Sequence, residues 1–303
     1  MELTSFWMIW MAIAVCPLAI SAQTGDAGAP GAFLKLGSGV RALAMGRAFV
    51  GLADDATASY WNPAGLVQIK GEELSLMYAE PFGKVAGITH QNLAYAKETG
   101  DINFGLNFIY ASVDGIEGYD KNAVSKGNFG SQEWAALLSL AYPPSTEVAW
   151  GTTFKLVSQK IKDYSARGFG SDLGLLFMGQ KDIQYGLVIE NLISPNLQLR
   201  DTMESYPRRV RYGLALSPNL FRRYLKTVIT ADLVSQEDTT PKQFYGIEGE
   251  VFKRIRLRGG YNTATFEQSC GAGLMISRLT IDYAYVLHQY LGDTHRVGLG
   301  VKF

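Results

Sequence analysis

Residues 102–110 read Ile-Asn-Phe-Gly-Leu-Asn-Phe-Ile-Tyr, and their alternation decides the fold. Ile102, Phe104, Leu106, Phe108 and Tyr110 fall on one face of an extended strand, with Asn103, Gly105 and Asn107 on the other. Successive strand side chains point to opposite faces, so this stretch needs an oily medium on one side and a polar one on the other. The period returns in 278–287, where Leu279, Ile281, Tyr283, Tyr285 and Leu287 alternate with Arg278, Thr280, Asp282 and Ala284. In 254–261 the polar face is Arg254, Arg256 and Arg258. Charges on one face of so many strands suit a wet lumen and do not suit a packed soluble core.

Working outward, about fourteen such segments follow Glu72, each near the length of a tilted membrane-crossing strand. They fall at 72–80, 85–96, 101–112, 132–142, 146–160, 168–179, 181–191, 207–217, 224–234, 242–252, 254–262, 269–277, 278–287 and 294–303. The connections tend to alternate. Long ones at 112–131, 159–167, 192–206, 235–241 and 263–268 are followed by short ones at 143–145, 179–181, 217–223, 252–253 and 277–278. Long loops on one side and tight turns on the other predict an all-β, antiparallel transmembrane barrel in a bacterial outer membrane. An even strand count puts the N- and C-termini on one side, the periplasm. The last strand carries Val297, Leu299, Val301 and Phe303 on one face; so oily an edge invites aggregation unless the sheet closes.

The 303 residues carry 28 basic and 28 acidic side chains, which removes the electrostatic case for a nucleic-acid partner. The 33 Gly, 16 Tyr and 15 Phe supply turns, strands and interfacial aromatic belts. Phe6 to Ile20 is an apolar run followed by Ser21 and Ala22, which reads as a secretory signal over 1–22. Glu2 and the absence of Lys or Arg before that run leave an N-terminal anchor as the alternative. Removal of the signal takes Cys16 with it and leaves Cys270 without an intramolecular disulfide partner.

Between the signal and the barrel (71–303) lies a segment of different character, 23–70. Its centre, 37–66, is rich in Ala and Gly and poor in charge. Fourteen strands enclose more space than their own side chains fill, so this segment is expected to be a plug, or hatch, with short helical turns. Val40 to Val50 has the composition of a short helix, Asp54, Asp55 and Thr57 offer caps, and Asn62-Pro63 with Gly65 stops any helix. Gly46, Ala48, Gly51 and Ala53 let the plug backbone lie close to the wall. Arg41, Asp54, Asp55 and Asn62 are its polar groups toward the lumen.

Gly37-Ser-Gly39-Val-Arg41-Ala-Leu-Ala-Met-Gly46, then Ala53-Asp54-Asp55-Ala-Thr57 and Tyr60-Trp61-Asn62-Pro63-Ala-Gly65-Leu66, resemble the opening of the PorV/PorQ family of outer-membrane proteins. Asp282-Tyr-Ala-Tyr285 and Gly292-Asp-Thr-His-Arg296 resemble that family's ending. The resemblance implies a barrel architecture similar to the FadL transporters, with an Asn-Pro-Ala element in an N-terminal hatch. It also implies a docking or shuttle role in type IX secretion, with secretion-system proteins or cargo signal domains as partners. The FadL-like alternative passes a hydrophobic small molecule through the hatch and out through the wall. Either way the expected surroundings are outer-membrane lipid, reached through the barrel assembly machinery.

Other chemistry finds little in the sequence. Gly37 to Ala42 fits a relaxed dinucleotide fingerprint, but no βαβ pattern surrounds it. His90, His288 and His295 are scattered, so no cofactor or metal is expected. No nucleophile, base and orienting acid assemble, and no enzyme is expected. Asp54 and Asp55 read as caps or as partners of a lumen Arg. For the wall, Arg209, Arg211, Arg256, Glu248, Asp232 and Asp282 are candidate lumen residues. Arg208, Arg209 and Arg211, with Arg254, Arg256 and Arg258, either pair with Glu248, Glu250, Asp232 or the hatch acids, or anchor periplasmic strand ends.

Overall fold

The structure, a computed structural model, describes residues 30–83, 87–180, 182–218, 225–237 and 239–303. The signal segment and Cys16 lie outside these residues; Cys270 is a free thiol on the exposed surface. The strands are β1 (Glu72–Glu80), β2 (Ile88–Lys97), β3 (Asn103–Tyr119), β4 (Ser125–Tyr142), β5 (Val148–Ile161), β6 (Tyr164–Gln180), β7 (Ile183–Ile193), β8 (Asn196–Gln198) and β9 (Met203–Ser205). They continue with β10 (Arg209–Leu216), β11 (Leu225–Gln236), β12 (Lys242–Val251), β13 (Ile255–Asn262), β14 (Glu267–Ile276), β15 (Leu279–His288) and β16 (Gly292–Lys302). Fourteen of them close into one antiparallel barrel, and β8 with β9 forms a separate hairpin between β7 and β10.

Closure is made by β1 and β16, paired from Glu73↔Lys302 to Glu80↔His295, and the Phe303 amide donates to the Glu72 carbonyl. The chain therefore enters and leaves the barrel at one rim, called here the terminal rim. Register aligns the oily faces into a belt: Leu93, Leu76, Leu299, Ile281, Leu274 and Ile255 sit side by side on successive strands. All six are exposed, as are Leu106, Phe108, Trp150, Val297 and Phe303. A continuous apolar girdle of this extent is stable only against lipid, so the barrel is a membrane-spanning one.

Two expected loops are largely strand, and a third is shortened. Residues 112–131 form the upper halves of β3 and β4, paired through Val113↔Ser131 and, past bulges, to Tyr119↔Ser125. Residues 159–167 collapse to a tight turn at Lys162, whose φ is 53°, and β14 begins at Glu267, inside the expected loop 263–268. These extensions stand clear of the oily belt with water on both faces, so hydrophobic alternation cannot mark them.

Within the barrel lie the 3₁₀ turns Ala32–Leu36 and Pro63–Gln68 and the helices α1 (Val40–Ala44) and α2 (Ala58–Trp61). The helix expected from Val40 to Val50 stops at Ala44 because the wall competes for its backbone. The Gly46 amide donates to Ser269 Oγ, and the amides of Phe49 and Val50 donate to Asp232 Oδ2. The Gly46 and Arg47 backbones, at φ 63° and 70°, make the bend. Before α2, Asp55 accepts from both the amide and the hydroxyl of Thr57, while Thr57 makes no cap bond itself. Asn62 Oδ1 accepts from the Ala64 amide and caps the turn that Pro63 opens.

Candidate functional site

The hatch is seated where pairs of wall glycines face each other across neighbouring strands. Gly151↔Gly174 on β5 and β6 receives Asn62 to Ala64; Gly186↔Gly213 on β7 and β10 receives Val50 and Gly51; Gly246↔Gly260 on β12 and β13 receives Met45 and Gly46. A Cβ at any of the six would overlap the hatch, mostly its backbone. Each pair thins the wall by two side chains, and one bend of the hatch lies directly on the sheet.

Polar groups then fix the hatch around the lumen. Arg41 donates to Glu248 through Nε and Nη2, both at 2.8 Å, and to Asp54 at 2.6 Å. Burial alone would depress the Arg41 guanidinium, but the charges of Asp54, Glu248 and Asp55 hold it well above its ordinary value. The expected pairing of the hatch acids with a wall Arg is thus reversed: the hatch supplies the cation, and the wall supplies the acid. The wall arginines pair within the wall instead. Arg209 meets Glu190 at 2.6 Å, Arg211 meets Glu190 at 3.2 Å and Asp232 at 3.5 Å, and Arg256 meets Glu250 at 3.0 Å. Arg258 bridges Glu248 at 2.7 Å and Asp282 at 2.5 Å. Arg208 is exposed and donates to the Leu192 carbonyl, and Arg254 is exposed in the turn before β13.

Backbone carbonyls of the hatch take most remaining contacts. Asn62 Nδ2 donates to Val50 and Leu175 oxygens, Asn103 to Leu66, Thr153 to Ser59, and Trp61 Nε1 to Ser38. Gly37 and Gly39, at φ 86° and 79°, turn the chain into α1, and Gly65 packs under the Ala53 carbonyl. Arg211 also stacks 5.0 Å from the Trp61 ring. The terminal-strand residues Val297, Leu299, Val301 and Phe303 are on the lipid side and take no part.

One seam of the wall differs from the rest. From Phe177↔Tyr185 to Leu173↔Ile189 the pairing of β6 and β7 is regular, with a small shift before it at Gln180↔Ile183; then Ser171 pairs with Ile193, so Glu190, Asn191 and Leu192 oppose Asp172 alone. Asn191 adopts φ 56° at this bulge. Its amide donates to Asp172 at 2.6 Å, Lys155 Nζ donates to Asp172 at 2.7 Å and to Asn191 Oδ1 at 2.5 Å, and Asn191 Nδ2 donates to the Pro207 carbonyl. Beyond Ser171, β6 has no paired barrel neighbour on that side among the described residues. The gap is filled from within by Pro195 and Leu197, which lie where Cβ atoms at Gly170 and Gly168 would stand.

Behind the seam, Leu34, Tyr60, Leu137, Tyr206, Lys155, Asp172 and Glu190 line a cavity of about 30 Å³. That admits water and excludes an organic molecule, unless Tyr206 or the β8–β9 hairpin moves. Phe33, Leu34, Ile109, Leu137, Val157, Leu197 and Tyr206 form one apolar cluster there. Outside the same seam Phe169 and Ile193 are more than half exposed. Apolar side chains thus stand on both sides of the interrupted pairing, with Lys155, Asp172 and Glu190 between them. A second cavity, about 180 Å³, opens among Arg41, Asp54, Gln68, Gln184, Lys226, Glu248, Glu250 and Arg256 and is strongly polar.

Sequence reasoning did not find the seam, its Lys155–Asp172–Asn191 cluster or Tyr206. A buried-type Asp and Lys on inward positions of β5 and β6 was the only available signal.

No protein-family model matches the chain, and no curated protein matches it. Solved structures do. The CymD monoaromatic hydrocarbon channel aligns with a TM-score of 0.64 at 12% identity, covering 88% of this chain and 98% of that one. The toluene transporter TodX of Pseudomonas putida gives 0.57 at 13%, covering 87% and 96%. A FadL homologue of Pseudomonas aeruginosa gives 0.59 at 12%, covering 88% and 98%. All three likenesses lie at 12–13% identity. At such identities they speak for the fold, and the fold of this chain is a FadL-like one: a closed fourteen-stranded barrel of the outer-membrane type.

Proposed function

We propose that the protein is a bacterial outer-membrane channel for hydrophobic small molecules and not an enzyme, with both termini in the periplasm. The hatch closes the lumen, and the solute leaves through the β6–β7 seam toward the lipid. The observation that carries this reading is the lost β6–β7 pairing beyond Ser171, with the apolar cluster of Leu34, Leu137 and Tyr206 inside it and Phe169 and Ile193 outside. A solute binding the displaced hatch or hairpin more tightly than the seated one would shift the population toward the open form.

The test locks the seam. Gly168→Cys with Leu197→Cys, in a Cys270→Ser background, ties the β8–β9 hairpin to β6, where the Gly168 Cβ position lies 3.0 Å from the end of the Leu197 side chain. Cells dependent on this protein for uptake of a labelled monoaromatic hydrocarbon or long-chain alkane should lose uptake when the pair is oxidised and regain it on reduction. Equal uptake in both states would refute the seam as the exit. The docking reading stands second; it draws only on the resemblance of 37–66 and 282–296 to PorV/PorQ proteins. Copurification of large secretion proteins or cargo domains would promote it.

A further inference from the structure

Buried arginines of the lumen are paired with acids: Arg41 with Glu248 at 2.8 Å, Arg211 with Glu190 at 3.2 Å, and Arg258 with Asp282 at 2.5 Å. Arg296 on β16 breaks this rule. It is 2% exposed, and among the described residues no carboxylate lies within ion-pairing distance. Its one hydrogen bond runs from Nη1 to His90 Nδ1 at 3.5 Å. Arg296 Nε and His90 Nε2 are both buried with no partner. Because Nδ1 of His90 faces a guanidinium, which can only donate, its proton belongs on Nε2, so the imidazole also presents a free N–H donor. The site thus holds two unused donors, a positive charge and no acceptor.

The side chains that flank the pair across the sheet are small. Across the sheet the row runs Ala111, His90, Ala79, Arg296, Ala284, so each polar side chain stands between alanines, all three buried. From the hatch, Arg47 adds positive potential at both His90 and Arg296. Glu267, the acid that acts on Arg296 from further away, is engaged by Arg47 at 3.2 Å. A buried guanidinium with unused donors is costly unless an anion completes it, and its fork geometry matches an oxyanion.

We propose that Arg296 and His90 form an oxyanion-binding site in the lumen wall, taking the carboxylate or phosphate group of a small molecule. The site lies on β1, β2 and β16, away from the β6–β7 seam, and does not depend on the transport reading.

The test is titration of the full-length protein in detergent, labelled with ¹⁵N-histidine, with sodium acetate in one arm and inorganic phosphate in the other, against sodium chloride of equal ionic strength. The chain has three histidines; His288, at the β15–β16 turn and outside the His90–Arg296 row, serves as the internal reference, whereas His295 is the exposed chain neighbour of Arg296 and does not. The His90 Nε2 resonance should move saturably with acetate, with phosphate or with both, while that of His288 stays still. Acetate alone identifies a carboxylate site, and phosphate alone a phosphate site. Arg296→Gln should weaken the response at least tenfold, and Arg296→Lys, which keeps the charge but lacks the guanidinium fork, should fall between. No saturable shift with either anion in the wild type overturns the proposal, as does an undiminished response in an Arg296→Gln protein that still migrates as a folded barrel.

Discussion

Replacing Gly186 and Gly213 together with alanine should unseat the hatch without harming the barrel. These residues face each other on β7 and β10, and added Cβ atoms would stand 2.7 and 2.8 Å from the Val50 carbonyl carbon, where ordinary contact begins at 3.4 Å. The obstacle is backbone, and with the nearest atoms, the Val50 oxygen and the Gly51 nitrogen, at 2.3 Å, the hatch must retreat by about 1.1 Å to reach ordinary contact. That retreat stretches the bonds from the Phe49 and Val50 amides to Asp232, now 2.9 and 3.0 Å long. Overpacking costs about 1–3 kcal/mol, and a hydrogen bond to a charged group about 1.5–3 kcal/mol. Taking roughly 4 kcal/mol for the pair, the displaced population rises about a thousandfold. Planar-bilayer recording would read this as frequent openings from a nearly silent parent. Gly259→Ala, where an added Cβ meets nothing closer than 3.6 Å, is the control and should stay silent. A double variant that folds, shows the boiling-dependent gel shift expected of the parent barrel, and remains as silent as the parent would refute the reasoning.

Removing Ala32 to Leu66 should leave a barrel that inserts and conducts continuously in a bilayer; conductance equal to the intact protein would show that the segment is no plug. Arg41→Met should lower the unfolding midpoint of the hatch, since breaking a buried ion pair costs about 3–5 kcal/mol, and limited proteolysis within 32–66 should accelerate; unchanged cleavage would count against the Arg41–Glu248 anchor. Deleting Phe303 removes the amide that donates to Glu72 and one apolar side chain of the closing strand, so membrane levels should fall. Normal assembly of that variant would mean that closure is set by the rest of β16.

The barrel was legible because lipid and lumen impose opposite demands on adjacent residues, as in Ile102 to Tyr110. The same logic failed at 113–130, where water bathes both faces and nothing forces an alternation. Within the hatch, composition pointed to a helix from Val40 to Val50. Acceptors from distant strands, Ser269 and Asp232, took the amides that a longer helix would have used. The lumen residues Arg211, Asp232, Glu248 and Asp282 were readable from strand parity. Their partners were not, because pairing depends on register between strands up to two hundred residues from the hatch. The glycine pairs are hidden for the same reason: each is unremarkable alone, and only Gly186↔Gly213 or Gly246↔Gly260 side by side makes a seat.

The hatch shares its core with the wall. Its helices are five and four residues long, too short to persist in water, and the cluster of Leu43, Phe49, Trp61 and Leu66 is completed by Met77, Ala94, Ala215 and Ala284 of the strands. It is therefore the first part of the barrel region to be synthesised and the last to acquire structure, since its template exists only once β16 has met β1. Lesions in the hatch should leave the rate of barrel closure untouched and speed only its release, whereas lesions in the closing strand should do the reverse.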